Sequence, residues 1–196
     1  MTKFSEEYLF SPDPFADVES SYVENNVGRT FASLVFTYKP KTVIEFGVLN
    51  GYSTLWFGKA MKELDHRGIV IAYDLWEKYE HKKGCLAEVA QRVEEAGLEH
   101  QIRLGETDIF EWIENPEPFD ILHVDISNDG DKLLRVYEKL KGRPETKGAI
   151  MVFEGGTLER DNVKWMKQFN RKPIIGCGVP YEVIMPYFPG LSMVRL

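Results

Sequence analysis

A doubly wound α/β domain, with a mainly parallel sheet and an antiparallel hairpin near its C-terminus, is the fold this sequence predicts. Three observations predict it. Short apolar runs alternate with segments of helical periodicity from residue 42 to residue 169, the pattern of strands joined by crossover helices that cover both faces of a sheet. The first run passes directly through a glycine turn into a helix-like segment, TVIEFGVLNGYS (Thr42–Ser53). Pro173–Leu196 then changes character, mixing glycines and prolines with apolar runs, which suits antiparallel strands better than a further strand–helix unit.

Taken in order, residues 1–17 lack periodicity, and Pro12 and Pro14 break any helix there. They carry Phe4, Tyr8, Phe10 and Phe15 and are expected to strap these rings onto a single domain spanning 18–196. Within Val18–Tyr38, residues Val27, Phe31, Leu34, Val35 and Tyr38 fall at helical spacing, and Pro40 stops the helix. Strands are expected at Thr42–Glu45, Ile69–Asp74, Gln101–Leu104, Phe119–Val124, Ala149–Phe153, Tyr181–Met185 and Ser192–Leu196. Helices are expected at Ser53–Leu64, at Cys85–Ala96, at Ile109–Ile113 and around Leu133–Leu140. In the second of these, Leu86, Val89, Ala90 and Val93 form one apolar stripe and Gly97 supplies a C-cap. Val163, Met166 and Phe169 predict one more short helix. A Phe-Pro-Gly turn joins the last two strands.

The chain has 196 residues, the length of one domain. Its formal net charge is −7, with lysines and arginines scattered, so the basic stripe of a nucleic-acid binder is missing. Cys85 and Cys177 lie far apart without a C-x-x-C motif, the usage of reduced thiols rather than of a disulfide or zinc framework. The N-terminus has acids and prolines where a signal peptide has an apolar core, and no apolar run reaches membrane-spanning length. These features predict a cytoplasmic protein with neither a nucleic-acid nor a membrane partner.

The glycine turn carries the functional signal. The dinucleotide fingerprint requires G-x-G-x-x-G, but Leu49 stands at its second glycine and leaves only Gly47-x-x-x-Gly51. Such a turn allows close backbone approach by a nucleoside without a pyrophosphate. Glu45, Asp74, Asp125 and Glu154 end the first, second, fourth and fifth strands, so a parallel sheet brings these carboxylates to one edge. Asp74 follows Gly51 by 23 positions, the distance at which an acid after the second strand meets a ribose. The base is then expected near Gly105–Asp108, where the backbone, Glu106 or Asp108 meets its exocyclic amine. Trp76, Tyr79 and His81 follow Asp74 at the same edge. Trp76 either stacks on the base or packs into the body.

With these residues, the segment resembles motif I of the class I S-adenosylmethionine-dependent methyltransferases. Asp74, Gly105–Asp108, FDILHVD (Phe119–Asp125) and GAIMVFEGG (Gly148–Gly156) are similar to that family's later motifs in order and spacing. The similarity spans residues 40–196 and is nearest the small-molecule O-methyltransferase branch, whose loop reads E-F-G-x-x-x-G-x-S as here. The resemblance implies a seven-stranded Rossmann-like sheet and S-adenosylmethionine as cofactor. It places Glu45, Gly47, Gly51 and Ser53 at the methionine part and Asp74 at the ribose, with methyl transfer to a hydroxyl of a small-molecule acceptor.

In metal-dependent members of that branch, the acid ending the fourth strand and an acidic or amide pair after the fifth hold a divalent cation. Here Asp125 matches the first position, while Glu154 is followed by Gly155. A metal such as Mg²⁺ at Asp125 and Glu154, completed by Asp129 or Asp131, and a metal-free general base, Asp125 ahead of His123, both stay open. So do two rival functions. A catalytically silent nucleoside-binding or scaffold protein is favoured by Gly155; a nicotinamide-dependent oxidoreductase is disfavoured by the missing G-x-G and by Glu45. The aromatic strap is a candidate lid over the acceptor. The N-terminal helix and C-terminal hairpin offer apolar surface for a homodimer.

Overall fold

The alternation expected from the sequence is present in the computed structural model, which describes residues 11–64, 68–80, 84–127 and 129–196. Helix α1 (Val27–Tyr38) leads into β1 (Thr42–Phe46), α2 (Tyr52–Glu63) and β2 (Ile69–Asp74). Then come α3 (Leu86–Glu95), β3 (Ile102–Glu106), the single turn α4 (Ile109–Trp112), β4 (Ile121–Val124), α5 (Gly130–Leu140) and β5 (Ile150–Glu154). Two short helices, α6 (Leu158–Asp161) and α7 (Lys164–Gln168), precede β6 (Glu182–Met185) and β7 (Leu191–Arg195).

The seven strands form one sheet in the order β3-β2-β1-β4-β5-β7-β6. Strands β1 to β5 pair in parallel. The C-terminal hairpin is antiparallel as expected, and its second strand, β7, inserts between β5 and β6. Order reverses between β1 and β4, so the carboxyl ends of these two strands open a crevice at the switch point of the sheet.

Alternating side chains of the central strands feed two cores. Val43, Val70, Ile121 and Val152 pack under α1 and α2 with Phe31, Val35, Phe57 and Met61. Ile44, Phe46, Leu122 and Met151 pack on the other face with Val136 and Leu140 of α5. Burial on both faces is why these strands read as continuous apolar runs.

Two elements differ from the sequence expectation. The helical spacing read from Val18 becomes a helix only at Val27, because Asn26 adopts a left-handed conformation (φ 51°) that an α-helix does not continue through. The short helix expected from Val163, Met166 and Phe169 is present as α7; the second difference is α6, a turn no periodicity announced, with Thr157 capping it by accepting from the Arg160 N–H. Of the strap, Phe15 and Val18 join the first core, and the Phe15 ring meets Trp56 edge-on at 5.8 Å. Phe4, Tyr8 and Phe10 lie outside the described residues. Among the described residues, no helix is long and apolar enough to cross a membrane.

Candidate functional site

A cavity of about 740 Å³ opens at the switch point. Its first half is built by the loop from Gly47 to Ser53, by Asp74 and Leu75, and by Thr107–Phe110. The loop conformation demands its glycines. Gly47 has φ +92°, and a Cβ on it would stand 2.2 Å from the carbonyl oxygen of Asp125. Only a bare backbone lets the end of β1 pass that close to the end of β4. Gly51, at φ +89°, is the left-handed N-cap of α2.

Asp74 holds this loop in place. Its Oδ2 accepts from the N–H groups of Val48 (2.7 Å) and Leu49 (2.9 Å), and its Oδ1 accepts from the Trp76 N–H (3.0 Å). A carboxylate has about four acceptor positions, so an edge facing the cavity is left for a ligand. Asp108 also lines the cavity while capping α4 through the Phe110 N–H at 2.6 Å.

Glu45 is placed differently from the other strand-end acids. Phe46, not Glu45, ends β1 and reaches the cavity wall, and strand alternation turns Glu45 to the opposite face. There it is completely buried and accepts from Ser53 Oγ (2.5 Å) and from the Thr54 hydroxyl. His123, its register partner on β4, places Nδ1 at 2.9 Å from the same carboxylate. Glu45 therefore anchors the start of α2, and Ser53 is the member of this group that lines the cavity. The His123 ring is fully buried among Tyr22, Phe31 and Phe57, and its Nε2 has no partner.

Trp76 and Glu106 also stand off the cavity wall. Trp76 is completely buried with Val48, Ala72 and Val89, and its indole N–H donates to the Gly105 carbonyl at 2.9 Å. Of the two roles open to it, the structure places it in packing. Glu106 is half-exposed and paired with Lys78. Tyr79 lines the cavity, whereas His81 lies outside the described residues.

The second half of the cavity is built from side chains. Asp125 Oδ2 accepts from the Tyr22 hydroxyl at 2.8 Å. Burial pushes the Asp125 carboxyl well above the usual carboxylate range, and the charge of nearby Glu154 pushes it further. Burial, then the Asp125 charge, likewise raises the Tyr22 phenol. The Glu154 carboxyl is raised by burial and pulled back by Arg160, whose Nε and Nη2 both donate to Oε1. Arg160 lies over the Trp165 ring at 4.8 Å and 5.9 Å from the centre of the Phe188 ring, and its buried Nη1 has no partner.

Sequence reasoning missed Tyr22, Arg160, Trp165 and Phe188. Tyr22 is 103 positions from Asp125, and no local pattern announces that pairing. Arg160 follows Glu154 closely, but across a glycine turn and a helix start that hide their contact.

The further acids considered as metal ligands are engaged elsewhere. Asp129 caps α5 through the Asp131 N–H (3.1 Å) and pairs with Arg171 at 3.7 Å, while Asp131 faces Lys172 at 4.0 Å. Among the described residues, no three His, Cys, Asp or Glu side chains are grouped to hold a metal.

Strand order, the inserted antiparallel β7 and a cavity at the switch point define a Rossmann-like methyltransferase fold. SAH-bound methyltransferase PaMTH1 of Podospora anserina shares it at a TM-score of 0.63 and 17% identity, covering 93% of this chain and 81% of that one. O-methyltransferase TomG of Streptomyces achromogenes, in complex with SAM, aligns at a TM-score of 0.60 and 17% identity over 97% and 93%. An O-methyltransferase of Bacillus cereus, in complex with SAH, aligns at 0.56 and 19% over 76% and 70%. At these identities the likeness is one of fold. None of the curated proteins matches the chain. The family model described as "Methyltransferase domain" matches residues 44–154, more than half of the chain, from β1 to the end of β5. The chain belongs to this methyltransferase-domain family.

Proposed function

We propose that the protein transfers a methyl group from S-adenosylmethionine to a hydroxyl of a small-molecule acceptor. The observation that carries this reading is the loop Gly47–Ser53, clamped by Asp74 at the switch-point cavity, in a chain of the methyltransferase-domain family. The SAM and SAH bound to proteins of the same fold support the choice of donor.

The roles follow from position. The free N–H groups at the start of α2, with Ser53, suit the α-carboxylate of the donor. Asp74 has an acceptor edge left for the ribose hydroxyls, and Thr107 and Asp108 stand where the base would lie. The donor's sulfonium then points toward Asp125, beyond which lie Tyr22, Glu154 and Arg160. Asp125 takes the hydroxyl proton as the acceptor oxygen forms its bond to the methyl carbon and the sulfur–methyl bond breaks. The products are a methyl ether and S-adenosylhomocysteine, and the proton passes from Asp125 to solvent. The protein contributes chiefly alignment and exclusion of water.

A divalent metal does not fit the donor set. The Arg160 guanidinium already supplies the positive charge at Glu154, the Tyr22 hydroxyl occupies one oxygen of Asp125, and Gly155 offers no side-chain ligand. No step is therefore routed through a metal.

Calorimetric titration with S-adenosylhomocysteine should give saturable one-to-one binding, and the absence of binding would overturn the donor assignment. Methyl transfer to hydroxylated small molecules, followed by mass spectrometry, should persist in excess chelator. Loss of turnover in chelator, restored by Mg²⁺, would reinstate the metal.

A further inference from the structure

We propose that residues 13–22 are a movable wall of the donor half of the cavity. This segment lifts for S-adenosylmethionine to enter and for S-adenosylhomocysteine to leave, and Tyr22 ties its closing to the placement of Asp125. The proposal rests on the methyl-transfer reading above and extends it to how the site opens and closes.

The segment belongs to the site but not to the backbone framework that carries the site. Glu19, Ser20, Ser21 and Tyr22 line the cavity beside the loop from Gly47 to Ser53. Among the described residues, the backbone–backbone hydrogen bonds of 13–22 are all local, such as the Val18 N–H donating to the Phe15 carbonyl (3.0 Å), and reach no farther than Val27. No strand ladder binds the segment to the sheet, and the left-handed Asn26 (φ 51°) separates it from α1. Side chains hold it down instead. Phe15 and Val18 reach the first core, and three polar ties reach the wall of the cavity. The Tyr52 hydroxyl donates to Asp13 Oδ2 (2.5 Å), the Asn50 side-chain amide to the Glu19 carbonyl (2.9 Å), and the Tyr22 hydroxyl to Asp125 Oδ2 (2.8 Å).

The partners of these ties give the segment its role. Asn50 and Tyr52 belong to the loop proposed to hold the donor and to the start of α2, and Asp125 is the group proposed to take the proton. Each tie is individually weak in net terms, so the segment can open at a fraction of the cost of unfolding the sheet, as elements that gate a ligand must. Its two ends act differently. Asp13 is not among the described residues that line the cavity; its other oxygen accepts from the Phe15 N–H (2.8 Å), so it acts on the site only by holding the segment. Tyr22 reaches in. Its ring is wedged edge-on against Phe31 at 5.3 Å and beside Tyr52 and His123, which fixes where its hydroxyl stands. With the segment down, the donor is enclosed and one oxygen of Asp125 is held, leaving the other for the acceptor. With it lifted, both constraints are released together, so water is excluded only while Asp125 is in place.

The test measures association and dissociation rates of tritiated S-adenosylhomocysteine on the full chain. Asp13→Ala should raise both rates together, by about threefold or more, the scale set by one net hydrogen bond, while the affinity changes less than either rate. Tyr22→Phe, which removes only the hydroxyl, should do the same and covers the case in which Asp13→Ala misfolds. Ser33→Ala deletes a hydroxyl bonded to the Arg29 carbonyl on α1 and should leave both rates as in the parent. In the parent protein, saturating S-adenosylhomocysteine should slow amide hydrogen exchange over 13–22 by about tenfold, as expected for a closed local opening. Unchanged rates in both variants, a rise in dissociation alone, an equal rise in Ser33→Ala, or exchange over 13–22 indifferent to the ligand would each overturn the proposal. Failure of S-adenosylhomocysteine to bind at all would instead bring down the reading on which it rests.

Discussion

Around β1 and β2 the cavity is shaped by a glycine loop held through its backbone N–H groups, whereas around β4, β5 and the helices after them it is shaped by side chains that pair with one another. In the first region Gly47 and Gly51 set the loop, and one carboxylate, Asp74, holds three N–H groups. In the second, Tyr22, Asp125, Glu154 and Arg160 hold one another across four separate segments. The difference teaches that a backbone-built subsite suits a ligand that never changes, because its shape depends on few residues. A side-chain-built subsite suits a ligand that differs from one family member to the next.

The comparison can be broken first at the buried anchor of the backbone half. Glu45→Ala leaves two hydroxyls and an imidazole unpaired in the core, and stability should fall by about 3–5 kcal/mol, as for other broken buried ionic clusters. Urea denaturation showing a loss below about 1 kcal/mol would mean that Glu45 does not anchor α2. Next in size is Asp74→Ala, expected to weaken S-adenosylhomocysteine binding by ~1.5–3 kcal/mol, the worth of hydrogen bonds to a charged group. Unchanged affinity in calorimetry would remove Asp74 from the donor site.

Trp76→Phe should cost about 1–2 kcal/mol of stability, because the buried Gly105 carbonyl loses its donor, and should leave donor affinity unchanged. A large drop in affinity with intact stability would return Trp76 to the cofactor site. The smallest effect carries the opposite sign. The Asp125 carboxyl is raised in the folded protein, so the native state binds that proton more tightly than the unfolded chain does. Stability is unaffected below the unfolded-state pKa and falls as pH rises toward the folded-state value. Asp125→Asn removes this penalty and should gain about 1 kcal/mol at mildly alkaline pH, in the range of other stabilising active-site replacements, while turnover is lost. Parent turnover should decline as pH drops through the raised pKa; a variant that is both active and less stable would contradict the role of Asp125.

Much of this was legible in the sequence. Strand–helix alternation fixed the sheet and its hairpin, because burial on both faces writes itself into apolar runs. The place of the glycine turn and of Asp74 at one cavity was legible because it depends on spacing along the chain. Glu45 was misplaced by one residue of strand length: with Phe46 as the last residue of β1, alternation turns Glu45 into the core. Trp76 was ambiguous because only the tertiary fold shows that its indole meets Gly105. The half of the cavity around Asp125 and Glu154 was hidden for a different reason. Its contacts join residues 22, 125, 154, 160 and 188, and no periodicity links them.

The close pass of Gly47 against the Asp125 carbonyl has a consequence for how such a molecule diversifies. One rung of the central ladder, the Asp125 N–H donating to the Phe46 carbonyl at 2.8 Å, sets the separation between the glycine loop proposed to hold the methyl donor and the group proposed to take the proton. That distance is a property of the sheet, as invariant as the gap between two teeth cut on the same gear. Segments after β5 can be redrawn, residue by residue, to admit a new acceptor without retuning the reaction's geometry.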